Sequence, residues 1–255
     1  MTVAPDRLLA VAVEAARAAG DVALKYYRGA FEVTLKPDAT PVTQADREAE
    51  QVIREIIGRA FPDHGFLGEE FGAAGAREAR WIIDPIDGTR NFVRGIPLWA
   101  VLIGFEDRGA VTAGVILNPV TGELATARRG GGAFVNGARV RVSDEARLAE
   151  AFFIHAGLGL VHRTPYWDGF VRLLDATGRQ RGFGDYYGYQ LLAEGKAEIY
   201  AELDVKPWDL APAKILVEEA GGRFTDFEGQ DTIYSGTALA TNGPLHAAVL
   251  GLLAR

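Results

Sequence analysis

Apolar residues recur at helical spacing in two segments near the start of the chain. The first segment runs from Asp6 to about Tyr27, and the second runs from about Thr43 to Ala60. A repeat of three or four positions puts these side chains on one face, which predicts two amphipathic helices. Phe61-Pro62 closes the second helix, because the residue before a proline disfavours helical backbone angles.

A stretch of strand-length apolar runs follows, each bounded by turn residues. Asn136-Gly137 lies between two such runs, Ala133–Val135 and Val140–Val142. This pair predicts a tight hairpin, because both residues tolerate positive φ angles. The other strands of this part are predicted at Trp81–Asp84, Leu98–Glu106, Ala110–Leu117 and Glu123–Ala127.

After Ser143 the pattern alternates between helices and strands. The change predicts an α/β (α+β) fold with two subdomains, residues 1–142 and residues 143–255. The helices of the second part are predicted at Tyr166–Thr177, Tyr186–Ala193, Asp209–Ala220 and after Pro244, and its strands at Ala151–His155, Glu198–Glu202, Arg223–Asp226 and Ala238–Thr241.

Composition and charge exclude several classes of function. The 255 residues are 48% hydrophobic, which is enough for a sizeable core, and a net charge of −7 argues against a nucleic-acid partner. Cysteine is absent, which excludes thiol catalysis and cysteine-ligated zinc. The four histidines do not have metal-ligand spacing. Any metal site must therefore consist mainly of carboxylates, which favour Mg²⁺ or Mn²⁺.

The chain also lacks the sequence features of a membrane protein. No apolar run reaches the length of a membrane span, so we expect no membrane partner. The N-terminal residues Met1–Asp6 do not have the basic and apolar regions of a signal peptide. A cytoplasmic location is therefore expected.

The stretch that ends the first predicted strand carries two acids, Asp84 and Asp87. Like charges at the end of a buried strand repel each other and resist removal from water. A divalent cation between the two carboxylates would offset both effects. Pro85 fixes its own φ angle and favours an extended Asp84, so the site would be stiff.

Three further acidic clusters have structural interpretations when each is taken alone. Thr43 and Asp46 have the spacing of a helix capping box. Asp209 has the position of a helix N-cap, and Glu69-Glu70 fits a solvated loop. Each of these interpretations stays open until the clusters are considered together.

In order along the chain, the four clusters resemble those of the inositol monophosphatase superfamily of Mg²⁺-dependent phosphatases. The resemblance covers nearly the whole chain and implies the layered αβαβα sandwich of this superfamily, usually as a homodimer. Lys36 lies where family members keep a basic residue. The matching motifs are Asp38 with Pro41–Asp46, Gly68-Glu69-Glu70, Trp81–Phe92, and Lys206–Ala211 followed by Glu219–Gly222.

The resemblance implies a metal role for five residues, most of them in the first subdomain. Glu69, Asp84 and the Ile86 carbonyl oxygen would hold one Mg²⁺. A second ion would lie between Asp84, Asp87 and Asp209, and Glu69 would contribute to a third, weaker site. Mn²⁺ is a possible substitute, since it accepts the same oxygen ligands.

The resemblance also implies how a phosphate monoester is hydrolysed. Thr89, oriented by Asp46, would position and deprotonate a metal-bound water for in-line attack. Glu70 would be a nearby acid. The backbone N–H groups of Gly88 and Thr89, near a helix start, would hold phosphate oxygens.

Three segments resemble the bacterial histidinol-phosphatase branch: Asn91–Ala100, Arg181–Tyr186 and Ala240–His246. This implies hydrolysis of histidinol phosphate to histidinol and phosphate in histidine biosynthesis. Asp185 and Glu202, both in the second subdomain, would bind the ammonium of that substrate. Asp185 has an alternative role as a helix cap near Tyr186. Arg94 either contacts the substrate or pairs with a surface acid.

Two other functions remain open. The chain could be an inositol-1-monophosphatase, or a broad-specificity monophosphatase with the same metal core. It could also be a catalytically silent regulatory protein that kept the fold. A competent residue at every expected ligand position argues against the silent protein.

Overall fold

The computed structural model describes residues 5–29, 33–35 and 41–254, so Lys36 and Asp38 lie outside the described residues. In the described residues, two helices lie near the start of the chain and five lie after residue 157, as the apolar pattern predicts for all but Leu158–Val161, and a short helix follows Gly88. They are α1 (Pro5–Tyr26), α2 (Gln44–Ala60), α3 (Thr89–Val93), α4 (Leu158–Val161), α5 (Trp167–Ala176), α6 (Asp185–Ala193), α7 (Pro207–Glu219) and α8 (His246–Leu253).

The strands of the described residues form three sheets: β1–β2, an eight-stranded sheet of β3 to β10 and a five-stranded sheet of β11 to β15. The strands are β1 (Val33–Leu35), β2 (Pro41–Thr43), β3 (Gly65–Gly68), β4 (Gly72–Ala74), β5 (Ala79–Asp87), β6 (Ala100–Asp107), β7 (Ala110–Asn118), β8 (Glu123–Arg128), β9 (Gly132–Val135), β10 (Ala138–Val140), β11 (Phe152–His155), β12 (Arg179–Arg181), β13 (Ile199–Leu203), β14 (Arg223–Thr225) and β15 (Thr237–Thr241).

The larger sheet has the order β10-β9-β8-β7-β6-β5-β3-β4, and the five-stranded sheet has the order β12-β11-β13-β15-β14. Neighbours in the larger sheet are antiparallel except β3 and β5, which run parallel. The carboxyl ends of these two parallel strands therefore meet at one edge of the sheet. Both of those ends carry acids of the predicted site.

Helices cover both faces of both sheets. Alternate residues of β5 point to opposite faces: Trp81 and Ile83 pack against α1 and α2, whereas Ile82 packs against α7. The other face of the α6–α7 layer packs against Tyr200 and Ala240 of the five-stranded sheet. That sheet is covered on its far side by α5 and α8. The result is the layered αβαβα sandwich that the family resemblance implies.

Most element predictions are confirmed, with ends shifted by one or two residues. Asn136 and Gly137 both have positive φ, 50° and 79°, and join β9 to β10 as the hairpin prediction requires. The predicted return strand Val140–Val142 is wrong, because the pairing covers Ala138–Val140. The predicted end of β5 at Asp84 is also wrong, because the strand continues to Asp87.

Residue 142, where we place the subdomain boundary, lies in the segment that joins the two larger sheets. One hydrophobic core spans this boundary, since Ile82, Leu102 and Tyr200 belong to the same buried cluster. No helix in the described part of the chain is both long and apolar enough to cross a membrane.

Candidate active site

A β-bulge brings Asp84 and Asp87 to the same face of β5. They are three positions apart in the chain, and in a regular strand that spacing would place them on opposite faces. In the structure Asp84 lies opposite Leu102 and Asp87 lies opposite Ala100, which are only two residues apart on β6. The extra residue on β5 is a bulge, and it turns both carboxylates toward the α6–α7 layer.

The first turn of α7 brings a third carboxylate to this face. Asp209 is the third residue of the helix, and its Oδ2 accepts a hydrogen bond of 2.7 Å from the backbone N–H of Lys206. The interpretation of Asp209 as the N-cap is therefore wrong: Lys206 occupies that position, because Pro207 starts the helix. Carboxylate oxygens of Asp84, Asp87 and Asp209 lie within 4.8 Å of one another.

The three carboxylates are held close together with little solvent to screen them. Asp84 is 3% exposed and Asp87 is 7% exposed. Burial, followed by the nearby acids Glu69, Asp87 and Asp209, raises the pKa of Asp84 well above its usual range. Burial also raises the pKa of Asp87 well above its usual range and that of Asp209 to about 7. The fully charged cluster is unfavourable because its negative charges repel one another. A hard divalent cation, which prefers oxygen ligands, fits such a site because it offsets this repulsion.

Glu69 and Glu70 lie in the tight turn between β3 and β4. The backbone N–H of Glu69 donates to the Ile83 carbonyl at 3.1 Å, which places Glu69 next to the end of β5. The Glu69 carboxylate lies close enough to Asp84 for its negative charge to raise the pKa of Asp84, so it joins the aspartate cluster. The side chain of Glu70 is only 3% exposed and lies 4.0 Å from Arg47. The interpretation of this pair as a solvated loop is wrong for Glu70.

Thr89 begins the short helix α3 directly after the bulge. Its hydroxyl can donate to either of two acceptors, the Ile86 carbonyl oxygen at 3.0 Å or Oδ1 of Asp46 at 3.5 Å. Asp46 is buried on α2, and Thr43, one residue before that helix, has the position of the predicted cap. The side chains of Thr89 and Asp46 therefore lie next to each other, and the Ile86 carbonyl lies beside them.

Gly88 permits the sharp entry into α3. Its φ of 84° lies in the left-handed region, where a glycine is favoured. A Cβ at this position would lie 3.0 Å from the Leu98 carbonyl oxygen and 3.3 Å from Oδ2 of Asp185. The entry into α3 therefore packs directly against the Asp185 side chain.

Asp185 lies against Gly88 and Asn91 and does not act as a helix cap. The N-cap of α6 is Gly184, and Oδ2 of Asp185 accepts a hydrogen bond of 3.0 Å from Nδ2 of Asn91. Its φ of 58° is unusual for an aspartate and turns the next N–H, that of Tyr186, toward Asp87. Burial raises the pKa of Asp185, and the positive charge of Arg90 opposes this shift.

Glu202 is buried on β13 beside the same cluster. Tyr189 donates a hydrogen bond of 3.2 Å to its Oε2. Burial, with a contribution from the charge of Asp185, raises the pKa of Glu202 to about 8. The two acids expected at a substrate site, Asp185 and Glu202, therefore influence each other electrostatically.

Arg94 lies at the end of α3. It is the exposed C-cap residue of α3. The cation that acts on Asp185 is Arg90, one helical turn earlier. Sequence reasoning missed Arg90 and the side chain of Asn91, although both stand in the matched motif Trp81–Phe92.

The sequence profile of the inositol monophosphatase family matches residues 4–254 of the chain. A histidinol-phosphatase from Chlorobaculum parvum is 43% identical over 239 residues, which cover 93% of this chain and 92% of that protein. An inositol-1-monophosphatase from Mesorhizobium japonicum is 37% identical over 258 residues, covering 97% of this chain and 96% of that protein.

A solved structure is similar over almost the full length. The crystal structure of extragenic suppressor protein suhB from Bartonella henselae superposes with a TM-score of 0.91 at 35% identity, covering 97% of this chain and 98% of that chain. The layers and the sheet order described above are thus those of a known fold.

Proposed function

The chain belongs to the inositol monophosphatase family and is a phosphatase, and we propose that it is a Mg²⁺-dependent histidinol-phosphatase. It would hydrolyse histidinol phosphate to histidinol and phosphate in histidine biosynthesis. The proposed Mg²⁺ dependence rests on three aspartates whose carboxylate oxygens lie within 4.8 Å of one another. The choice of histidinol phosphate as the substrate rests on Asp185 and on the similarity to a histidinol-phosphatase.

Five residues would hold the metal ions. Asp84, Asp87 and Asp209 form the cluster, the charge of Glu69 acts on Asp84, and Ile86 lies inside the bulge. Bound Mg²⁺ supplies positive charge that stabilises the phosphate oxygens and the leaving group during displacement. The raised pKa values of the aspartates support this assignment, because a cation would favour their charged forms.

Thr89 and Asp46 are the proposed pair for the proton of the attacking water. The Thr89 hydroxyl lies between the Ile86 carbonyl and Asp46, at 3.0 and 3.5 Å. In this arrangement the hydroxyl oxygen accepts a proton from water, while its own proton passes to Oδ1 of Asp46. Burial of Asp46 on α2 keeps its carboxylate aimed at Thr89.

Backbone groups at the start of α3 would hold the phosphate. The helix begins at Thr89, two residues after Asp87, so its first N–H groups lie next to the aspartate cluster in the chain. Such N–H groups bind anions, because they carry partial positive charge and have no partner within the helix. The phosphate would thus lie between these donors and the metal ions.

Two acids favour a cationic leaving group. Histidinol phosphate carries an ammonium and an imidazole, and a carboxylate that faces an ammonium forms a charge-assisted hydrogen bond. The charge of Asp185 raises the pKa values of both Asp87 and Asp209, and the charge of Glu202 raises that of Asp87. The segment that contains Asp185 is therefore adjacent to the proposed reaction centre.

Inositol-1-phosphate hydrolysis is the second candidate. The 37% identity to an inositol-1-monophosphatase over nearly the full length favours it, and carboxylates also accept hydrogen bonds from hydroxyl groups. The homodimer and the cytoplasmic location stay predictions. Sedimentation of the purified protein would test the homodimer.

The proposal is tested by removing and restoring the metal. Protein dialysed against EDTA should hydrolyse neither phosphate ester, and added Mg²⁺ should restore turnover of histidinol phosphate. Full activity in EDTA would refute the metal site. Restored activity on inositol 1-phosphate alone would keep the metal site and refute the substrate.

A further inference from the structure

Glu50 is a fully buried carboxylate on α2 that the proposed chemistry does not use. Its Oε2 accepts a hydrogen bond of 2.7 Å from the backbone N–H of Glu70. Its Oε1 accepts a hydrogen bond of 2.7 Å from Nε of Arg54, one helical turn later. A buried charge is unfavourable unless it is paired and hydrogen-bonded, and here it is both.

Arg54 extends this contact to the other end of the β3–β4 turn. Its Nη2 donates to the Gly72 carbonyl at 2.7 Å. The guanidinium also lies over the rings of Phe66 and Phe71, at 5.2 and 5.6 Å from their centroids. The Glu50–Arg54 pair therefore holds the turn at both sides, from residue 70 to residue 72.

Gly68 shows how closely Glu50 packs against the turn. A Cβ at Gly68 would lie 1.9 Å from Oε1 and 2.8 Å from Oε2 of Glu50. No other residue type fits there while the carboxylate keeps its place. The turn that carries Glu69 is thus built around the Glu50 side chain.

The same helix also positions the proton-transfer pair. Asp46 lies one helical turn before Glu50, and its carboxylate lies 3.5 Å from the Thr89 hydroxyl. Residues four apart on a helix share one face. One face of α2 therefore contacts both the Thr89 loop and the Glu69 turn.

We propose that Glu50 is a positioning residue that orients Glu69 toward Asp84 through the turn it shares with Arg54. The inference rests on the proposed metal site, since Glu69 is one of its ligands. Glu50 itself does not touch the cluster. Its loss should weaken metal binding, because a turn without its buried partner no longer holds Glu69 in one orientation.

The test is direct binding of Mn²⁺ to wild type and Glu50→Gln, measured by electron paramagnetic resonance without substrate. Glutamine keeps the size of the side chain but removes the charge that pairs with Arg54. The Kd for Mn²⁺ should rise on the order of 10-fold, as expected when a partner of a metal ligand is lost. An unchanged Kd would overturn the inference.

Glu106→Gln is the matched control. Glu106 is 2% exposed and accepts a hydrogen bond of 2.6 Å from Arg80, so it is also a buried ion-paired glutamate. It lies at the opposite end of β6 from Ala100, which is the residue beside Asp87. Both variants should have a lower Tm, and only Glu50→Gln should have a higher Kd. Equal weakening by Glu106→Gln would overturn the inference.

Arg54→Lys covers the case in which Glu50→Gln does not fold. Lysine keeps the positive charge beside Glu50 but lacks the planar fork that reaches both Glu50 and Gly72. The Kd of Arg54→Lys for Mn²⁺ should also be higher than that of the wild type. A Kd equal to that of the wild type would overturn the inference. Failure of the wild type itself to bind Mn²⁺ would refute the proposed metal function, and the positioning role with it.

Discussion

The backbone N–H of Tyr186 donates a hydrogen bond of 2.7 Å to Oδ2 of Asp87, across 99 residues of sequence. The bond joins a proposed metal ligand to the residue that follows Asp185. The carboxylate of Asp185 in turn accepts a hydrogen bond from Asn91, four residues after Asp87. The proposed reaction centre and the proposed substrate site are therefore coupled through two short contacts.

Asp87→Asn should abolish Mg²⁺-dependent hydrolysis and leave the fold intact. The amide oxygen still accepts the hydrogen bond of Tyr186, but the charge that would bind the cation is gone. We expect at least a ~100-fold fall in kcat, since metal stabilisation contributes several kcal/mol. Unchanged activity would refute the two-metal assignment.

The control for this variant is thermal unfolding in EDTA. Without metal, the wild type holds three neighbouring acids, of which Asp84 and Asp87 are buried. Removing one charge should leave the Tm of Asp87→Asn equal to or above that of the wild type, because like charges repel. Added Mg²⁺ should then raise the Tm of the wild type more than that of the variant.

Metal-free protein should lose stability as pH rises. Carboxyls with a raised pKa bind protons in the folded state that the unfolded chain has already released, so higher pH favours unfolding. The stability that these protonated carboxyls add to the folded state is complete below their ordinary pKa of ~4. It is lost as pH rises through about 7 for Asp209 and about 8 for Glu202.

This pH dependence is measured by denaturant unfolding between acid and mildly alkaline pH, with EDTA or with Mg²⁺. Saturating Mg²⁺ should remove most of the decline, because the cation favours the charged carboxylates. Identical pH profiles with and without Mg²⁺ would show that the acidic cluster does not bind the metal.

Thr89→Ala should remove proton transfer but keep metal binding. A positioned acid–base group contributes ~10²–10⁴-fold to rate, so kcat should fall within that range. Thr89→Ser keeps the hydroxyl near Asp46 and is the control that should retain most of the activity. If the kcat of Thr89→Ser falls as far as that of Thr89→Ala, the hydroxyl does not transfer the proton.

Asp185→Asn should reduce selectivity rather than general activity. Asparagine tolerates the φ of 58° and can still accept the hydrogen bond of Asn91, so the backbone conformation at residue 185 should not change. A hydrogen bond to a charged group is worth ~1.5–3 kcal/mol, which predicts a fall of ~10-fold or more in kcat/KM for histidinol phosphate. Hydrolysis of inositol 1-phosphate on the same preparation should change little. Equal losses on both substrates would assign Asp185 a structural role.

The sequence predicts the long elements well because they repeat a clear apolar pattern. Helix α2 and strand β7 are examples, with six and seven buried residues. Short elements are missed for the opposite reason. Strand β3 and helix α3 span four and five residues, too few to show a period.

The sequence also predicts which acids matter, but not how they come together. The spacing of Asp84 and Asp87 gives no sign of the bulge that turns both to one face. Glu50 is missed because a glutamate on an amphipathic helix normally faces water. Its contact with Glu70 joins residues 20 positions apart and depends on tertiary packing.

The central claim is tested most directly by internal competition between two substrates. Equal concentrations of histidinol phosphate and inositol 1-phosphate are mixed with the wild-type protein and Mg²⁺, and both alcohol products are quantified early in the reaction. The product ratio equals the ratio of the two kcat/KM values. We expect histidinol to dominate by ~10-fold or more, as a charge-assisted contact predicts. A mixture in which inositol forms faster would contradict the proposed function.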